Sequence, residues 1–223
     1  MAITQAVQRH ASSVADAQVA RVAVEGSAAH PHCLMLANAS GPEAARDLAD
    51  AVHLLCSLYG RHPGLVELAL QNCAPGPIRD WLQAASEGFE RERLYLVRLT
   101  SAVGPLPSTP GSAETESVLS QQRHAIETLA RSERRGCAIG ATTALVADWA
   151  ALRWILDRAA NRMGVAVPTT TLPSIASVIE VIEAGIDGVA AERALGFGGE
   201  QLLLQNRGLL DVLEARASAR TDG

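Results

Sequence analysis

The sequence predicts an all-α protein, a single-domain bundle of about six helices. Three observations lead there. The apolar content, 48% of 223 residues, is carried by Ala, Leu and Val, with aromatics at only 3%; large β-sandwiches lean instead on β-branched and aromatic residues. No stretch alternates apolar and polar residues as a half-buried strand does. Gly and Pro divide the chain into segments whose apolar residues recur at helical spacing.

Residues 1–27 read as an appended N-terminal segment, weakly helical from about Ile3 to Val24 and rich in Ala; residues 28–223 read as the bundle domain. A loop runs through Ala28-Ala29-His30-Pro31-His32. The first firm helix starts after Gly41-Pro42, because Pro suits a first helical turn. It carries Leu48, Val52, Leu55, Cys56 and Tyr59 on one face and stops at Gly60. A short helix follows His62-Pro63-Gly64 and ends near Cys73. Beyond the Ala74-Pro75-Gly76-Pro77 breaker, a long helix spans about Ile78 to Val103. The segment Gly104-Pro105-Leu106-Pro107-Ser108-Thr109-Pro110-Gly111 is a stiff, Pro-rich connection. Helices are then expected over about 113–135, 136–163, 174–195 and 199–217, with Pro168 and Pro173 bracketing a polar turn. Gly196, Gly198 and Gly199 read as a break between the last two helices, since no strand precedes them and no Lys follows, as a phosphate loop requires. No internal repeat is present.

Charge and composition exclude several classes of function. All 19 basic residues are Arg, which removes Schiff-base chemistry on Lys and the Lys of a phosphate-binding loop. A net charge of −5 gives no general attraction to nucleic acid or to an anionic membrane. The richest apolar stretch, Gly136 to Met163, is interrupted by Asp148, Arg153, Asp157 and Arg158, so no membrane span is expected. No secretory leader is recognisable, and Cys33, Cys56, Cys73 and Cys137 form no Cys-x-x-Cys pair. The expectation is a cytoplasmic protein with reduced cysteines. No Gly-x-Ser-x-Gly elbow supports nucleophilic catalysis.

At about 100° per residue, three helices direct polar groups inward. Glu92 falls within the stripe of Ile78, Trp81, Leu82, Ala85, Phe89, Leu96 and Leu99, with Arg93 at its edge. Asp148 flanks the face of Thr142, Leu145, Trp149, Leu152, Leu156 and Met163, and Arg153 lies on the other flank. Asn206 sits among Leu202, Leu209, Leu210 and Leu213. A buried carboxylate requires a partner, a metal or a proton. Arg93 or Arg153, pairing with Glu92 or Asp148, would satisfy these charges with no further role.

The alternative is a carboxylate/His metal enzyme of ferritin-like or haem-oxygenase-like type holding Fe or Mn, in which bundle helices supply Glu and Glu-x-x-His ligands. The available ligands are Glu92 and Asp148 with His53, from Asp50-x-x-His53, and with His124 and Glu127, from His124-x-x-Glu127. The helical wheel argues against it: Asp50 lies opposite the Val52 stripe, His53 only flanks it, and His124 points away from Leu119, Ile126 and Leu129. Neither pair has the Glu-x-x-His order. His30-Pro31-His32-Cys33 offers ligands for Zn or Cu, but reads more simply as a helix-entry turn.

The Gly104–Gly111 segment, Gln122-Arg123-His124-Ala125, and Gly136-Cys137-Ala138-Ile139-Gly140 through Asp148-Trp149 carry a resemblance. On these residues the chain resembles a small family of bacterial helical proteins, a domain of unknown function, over about His30 to Ala217. The resemblance implies a bacterial, cytoplasmic protein and no particular activity. It also makes His124 and Asp148 worth testing, because a six-helix arrangement can bury both faces of a helix. The main expectation is therefore a non-catalytic bundle with no cofactor, binding a small apolar ligand or a protein partner. The Gly136–Met163 helix, apolar nearly all round, is expected at the centre or under a homodimer interface.

Overall fold

The computed structural model describes residues 13–221, so the expected helical turns before Ser13 lie outside the described residues. Among the described residues every regular element is helical: α1 (Val14–Glu25), α2 (Pro31–Ala37), α3 (Ala44–Tyr59), α4 (Leu65–Gln71), α5 (Pro77–Ala102), α6 (Ser112–Ala130), α7 (Cys137–Met163), α8 (Ile175–Gly185) and α9 (Val189–Thr221), with a 3-10 turn at Ser27–Ala29. Nine helices replace the expected six or so. Part of the excess is short: α2, which begins within the expected loop at the turn read as a helix entry, is a seven-residue helix with Pro31 in its first turn and His30 as N-cap.

Local chemistry explains the ends. Ser13 and Asp16 form a reciprocal capping box at the start of α1, which satisfies two free N–H groups. Pro77 occupies the first turn of α5. Helix α6 ends at Ala130, short of Arg135, and Gly136 enters α7 at φ 101°, a left-handed backbone that suits Gly.

Helix α7 packs against every other helix. The 18-residue window in which it is apolar enough to cross a bilayer is 83% buried inside the bundle, as befits a core helix. Trp149 and Leu152 are fully buried, while Trp154 on the outer side is 47% exposed.

The main departure from expectation is α9. Gly196, Gly198 and Gly199 do not break it, and the break falls earlier, at Ile186 to Gly188, where Gly188 takes φ 88°. The helical glycines serve contact instead. A Cβ on Gly140 would lie 1.9 Å from Leu195 O, and one on Gly198 would lie 2.0 Å from Cys137 O. The α7 and α9 backbones touch here, which offsets the entropy cost of Gly within a helix.

Candidate functional site

The inward polar groups resolve into separate clusters. On α5, Glu92 is 2% exposed and accepts from Trp149 Nε1 at 3.0 Å and from Arg153. The Arg153 guanidinium stacks over the Tyr95 ring at 5.1 Å. Tyr95 donates to Asp157 at 2.9 Å, and burial raises its pKa above the ordinary phenol value. Of the pairings open to Glu92, the one with Arg153 is present. Arg93 instead forms a forked pair with Glu67 at 2.9 and 3.3 Å. Glu67 also accepts from Gly64 N at 2.7 Å and from Ser86 Oγ at 3.2 Å.

Asp148 is paired with no cation among the described residues. Its carboxylate accepts from Ser27 N at 2.7 Å, Ser27 Oγ at 2.5 Å and Asn206 Nδ2 at 2.7 Å, and Asn206 Oδ1 accepts in turn from the Tyr59 hydroxyl. Burial raises the Asp148 pKa above the ordinary carboxylate value, against the three hydrogen bonds that favour the ion. The same burial, with Asp148 beside it, pushes the Cys33 thiol up to about 12. A carboxylate held by neutral donors fastens four pieces of chain together: the turn after α1, α7, α9 and, through Asn206, α3.

Asp50 corrects the helical wheel. It is fully buried, not outward, and takes Arg216 at 2.8 Å and Arg220 at 2.7 Å. Helix α3 is covered on both sides, by α5 and α7 and by α6 and α9. The Pro-rich connection folds over this end, where Thr109 Oγ1 accepts from both arginines.

The structure does not bring Glu92, Asp148, His53, His124 and Glu127 together as a ligand group. His53 meets Gly104 O at 2.8 Å through Nε2, His124 is exposed on α6 as its wheel position predicts, and Glu127 faces Arg131 at 3.4 Å. Among the described residues, the one group of three such side chains with ligand atoms within 4.8 Å of one another is His30, Asp211 and Glu214. Here the hydrogen bonds of the His30 ring decide. Its Nδ1 accepts from His32 N at 3.2 Å, so Nε2 carries the proton and donates to Asp211 at 3.0 Å. A metal at Nε2 would have to displace that proton and break the bond to Asp211. The pair instead ties the start of α2 to α9.

A cavity of about 40 Å³ opens where the α3–α4 turn meets α5 and α6. Its inner wall is apolar and buried, with Leu58, Tyr59, Val66, Phe89, Ile126 and Leu145. Tyr59 and Phe89 both meet the Trp149 ring edge-on, at 5.4 and 5.0 Å, so a rigid aromatic cluster backs the wall. Arg61, exposed, and Arg93 and Arg123, half-buried, complete the lining. Sequence reasoning missed this place because the turn residue Arg61 carries no periodic signal and Arg123 meets Ser57 of α3 only in the folded chain.

The model of a family described as "Family of unknown function (DUF6975)" matches residues 22–221. No curated protein and no solved structure matches the chain.

Proposed function

The chain belongs to this family of unknown function, and we propose that it works by binding a small molecule rather than by metal-dependent catalysis. The observation that carries this reading is the cavity between the α3–α4 turn, α5 and α6, small for a ligand site, where a buried apolar wall lies beside the polar side chains of Arg61, Glu67, Arg93, Arg123 and Glu127, the pairing of wall and polar groups that ligand sites use. The buried carboxylates support it from the other side. Glu92, Asp50 and Glu67 are closed by Arg153, by Arg216 with Arg220, and by Arg93. Asp148 is closed by Ser27 and Asn206.

The test sets metal against small molecule. Protein purified without chelator or His-tag, then loaded aerobically with Fe(II) or Mn(II), is expected to retain no stoichiometric metal by elemental analysis. Small organic molecules are expected to raise its Tm. Near-stoichiometric metal, lost in folded Glu92→Ala and Asp148→Ala variants, would overturn the reading in favour of the oxygenase.

A second reading, association with another copy of the chain, is favoured by one observation. Trp154 on α7 and Leu34 on α2, 47% and 45% exposed, line a shallow hollow together, and exposed Trp is enriched at interfaces. Sedimentation velocity across a concentration series tests it; a monomer throughout rejects it.

A further inference from the structure

We infer that the cavity takes a short-chain aliphatic carboxylate, whose anionic head is clamped by Arg61 and Arg123. The inference rests on the binding role proposed above and assigns the chemistry of its ligand.

The charges around the cavity carry the argument. Two carboxylates line it, Glu67 and Glu127, and each has its own cation. Glu67 is forked onto Arg93 at 2.9 and 3.3 Å, and Glu127 meets Arg131 at 3.4 Å. Two guanidinium groups are left over. Arg123 is half-buried and donates to the neutral Ser57 hydroxyl at 2.9 Å. Arg61 stands exposed at the turn and forms no ion pair among the described residues. A guanidinium that has left part of its hydration and meets only a hydroxyl retains donors for an anion, and its planar fork matches a carboxylate.

Size and wall chemistry narrow the class. The space of about 40 Å³ takes a short alkyl tail with its head group left outside at the mouth, not a nucleotide or a long acyl chain. Its inner face, including Val66, Phe89 and Leu145, is buried and apolar, which suits an alkyl tail and does not repay the desolvation of a phosphate. The head meets Arg at the mouth while the tail enters the wall.

The test is a ¹⁵N NMR titration of the full chain at constant ionic strength, with butyrate, its neutral isostere butyramide, and inorganic phosphate as probes. Butyrate is expected to shift the amides of Gly64 to Glu67 and of Ile126 saturably. Arg61→Gln and Arg123→Gln are each expected to weaken binding by about tenfold, the loss of one charge-assisted contact. Arg61 is exposed, so R61Q decides the matter even where R123Q fails to fold. Butyramide binding as tightly as butyrate, or butyrate binding unchanged by R61Q, overturns the carboxylate assignment while leaving a small-molecule site. Phosphate binding without butyrate overturns it in favour of a different anion. No shift at these amides with any probe overturns both this assignment and the cavity as the functional site.

Discussion

Asn206 of α9 donates its amide to the Asp148 carboxylate of α7 at 2.7 Å, in a cluster where no Arg or His ion-pairs with that carboxylate among the described residues. The three donors facing Asp148 all want an acceptor. In an Asp148→Asn variant one oxygen still accepts, but the NH₂ that replaces the other oxygen faces a donor. The variant also removes the charge that burial disfavours, so D148N serves as the untitratable reference for this group.

The same residue sets a pH dependence. Burial raises the folded pKa of Asp148 above its ordinary value of 3.8, so between those two values the native state holds more protons than the unfolded chain. Stability from this group is fully present below 3.8 and is lost as pH rises through the folded value. The advantage of wild type over D148N should therefore shrink from acid towards neutral pH, read as the difference between their Tm values at each pH. A difference that widens over that range contradicts the assignment.

Glu92 and Arg153 are expected to behave as a buried pair. Arg153→Met leaves Glu92 buried with Trp149 as its remaining partner, a loss of about 3–5 kcal/mol. Glu92→Leu combined with Arg153→Met should recover most of that loss, because no unpaired charge then remains. Chemical denaturation of the two variants measures it, and equal losses would show that the charge pairing is not the cause.

The glycines of α9 divide by contact. Gly198→Ala drives a Cβ to within 2.0 Å of the α7 backbone and should destabilise by about 1–3 kcal/mol or more. Gly196 has nothing within 4 Å of the same position, so Gly196→Ala should stabilise by about 0.5–1 kcal/mol through helix propensity alone. Opposite shifts in Tm for two glycines two residues apart separate close packing from a helix break.

Cys33 is fully buried, and its thiol is pushed up to about 12, so little thiolate exists at neutral pH. Native protein should leave Cys33 unlabelled by iodoacetamide while Cys73, half-buried at the end of α4, is modified. Labelling of Cys33 before unfolding would mean that α2 opens away from α7.

Much of this architecture is legible along the chain. Helical spacing and Pro or Gly stops locate α3, α5 and α7, and the inward positions of Glu92, Asp148 and Asn206 follow from the wheel. For Glu92 the sequence offers two cations, Arg93 and Arg153, and only the folded chain selects Arg153. Asp50 does not follow, because a wheel assumes one buried face and α3 is covered on two. The glycines of α9 mislead for a related reason: a residue that weakens an isolated helix is required where another backbone comes within contact. Arg93 takes Glu67, a residue of the short helix α4 whose seven residues give too little periodicity to place a partner. The cavity is assembled from a turn and several helices far apart in sequence, and no local pattern encodes it.

The most direct measurement is a ¹⁵N NMR map of where a mixed set of small acids, alcohols and amides perturbs the full-length chain. The account predicts that the ligands which bind shift Gly64 to Glu67 and Ile126 most and leave the amides of Ser27 and Asn206, the partners of Asp148, in place. Perturbations centred on Glu92 and Asp148, with the α3–α4 turn unmoved, would contradict it and place the working chemistry among the buried carboxylates.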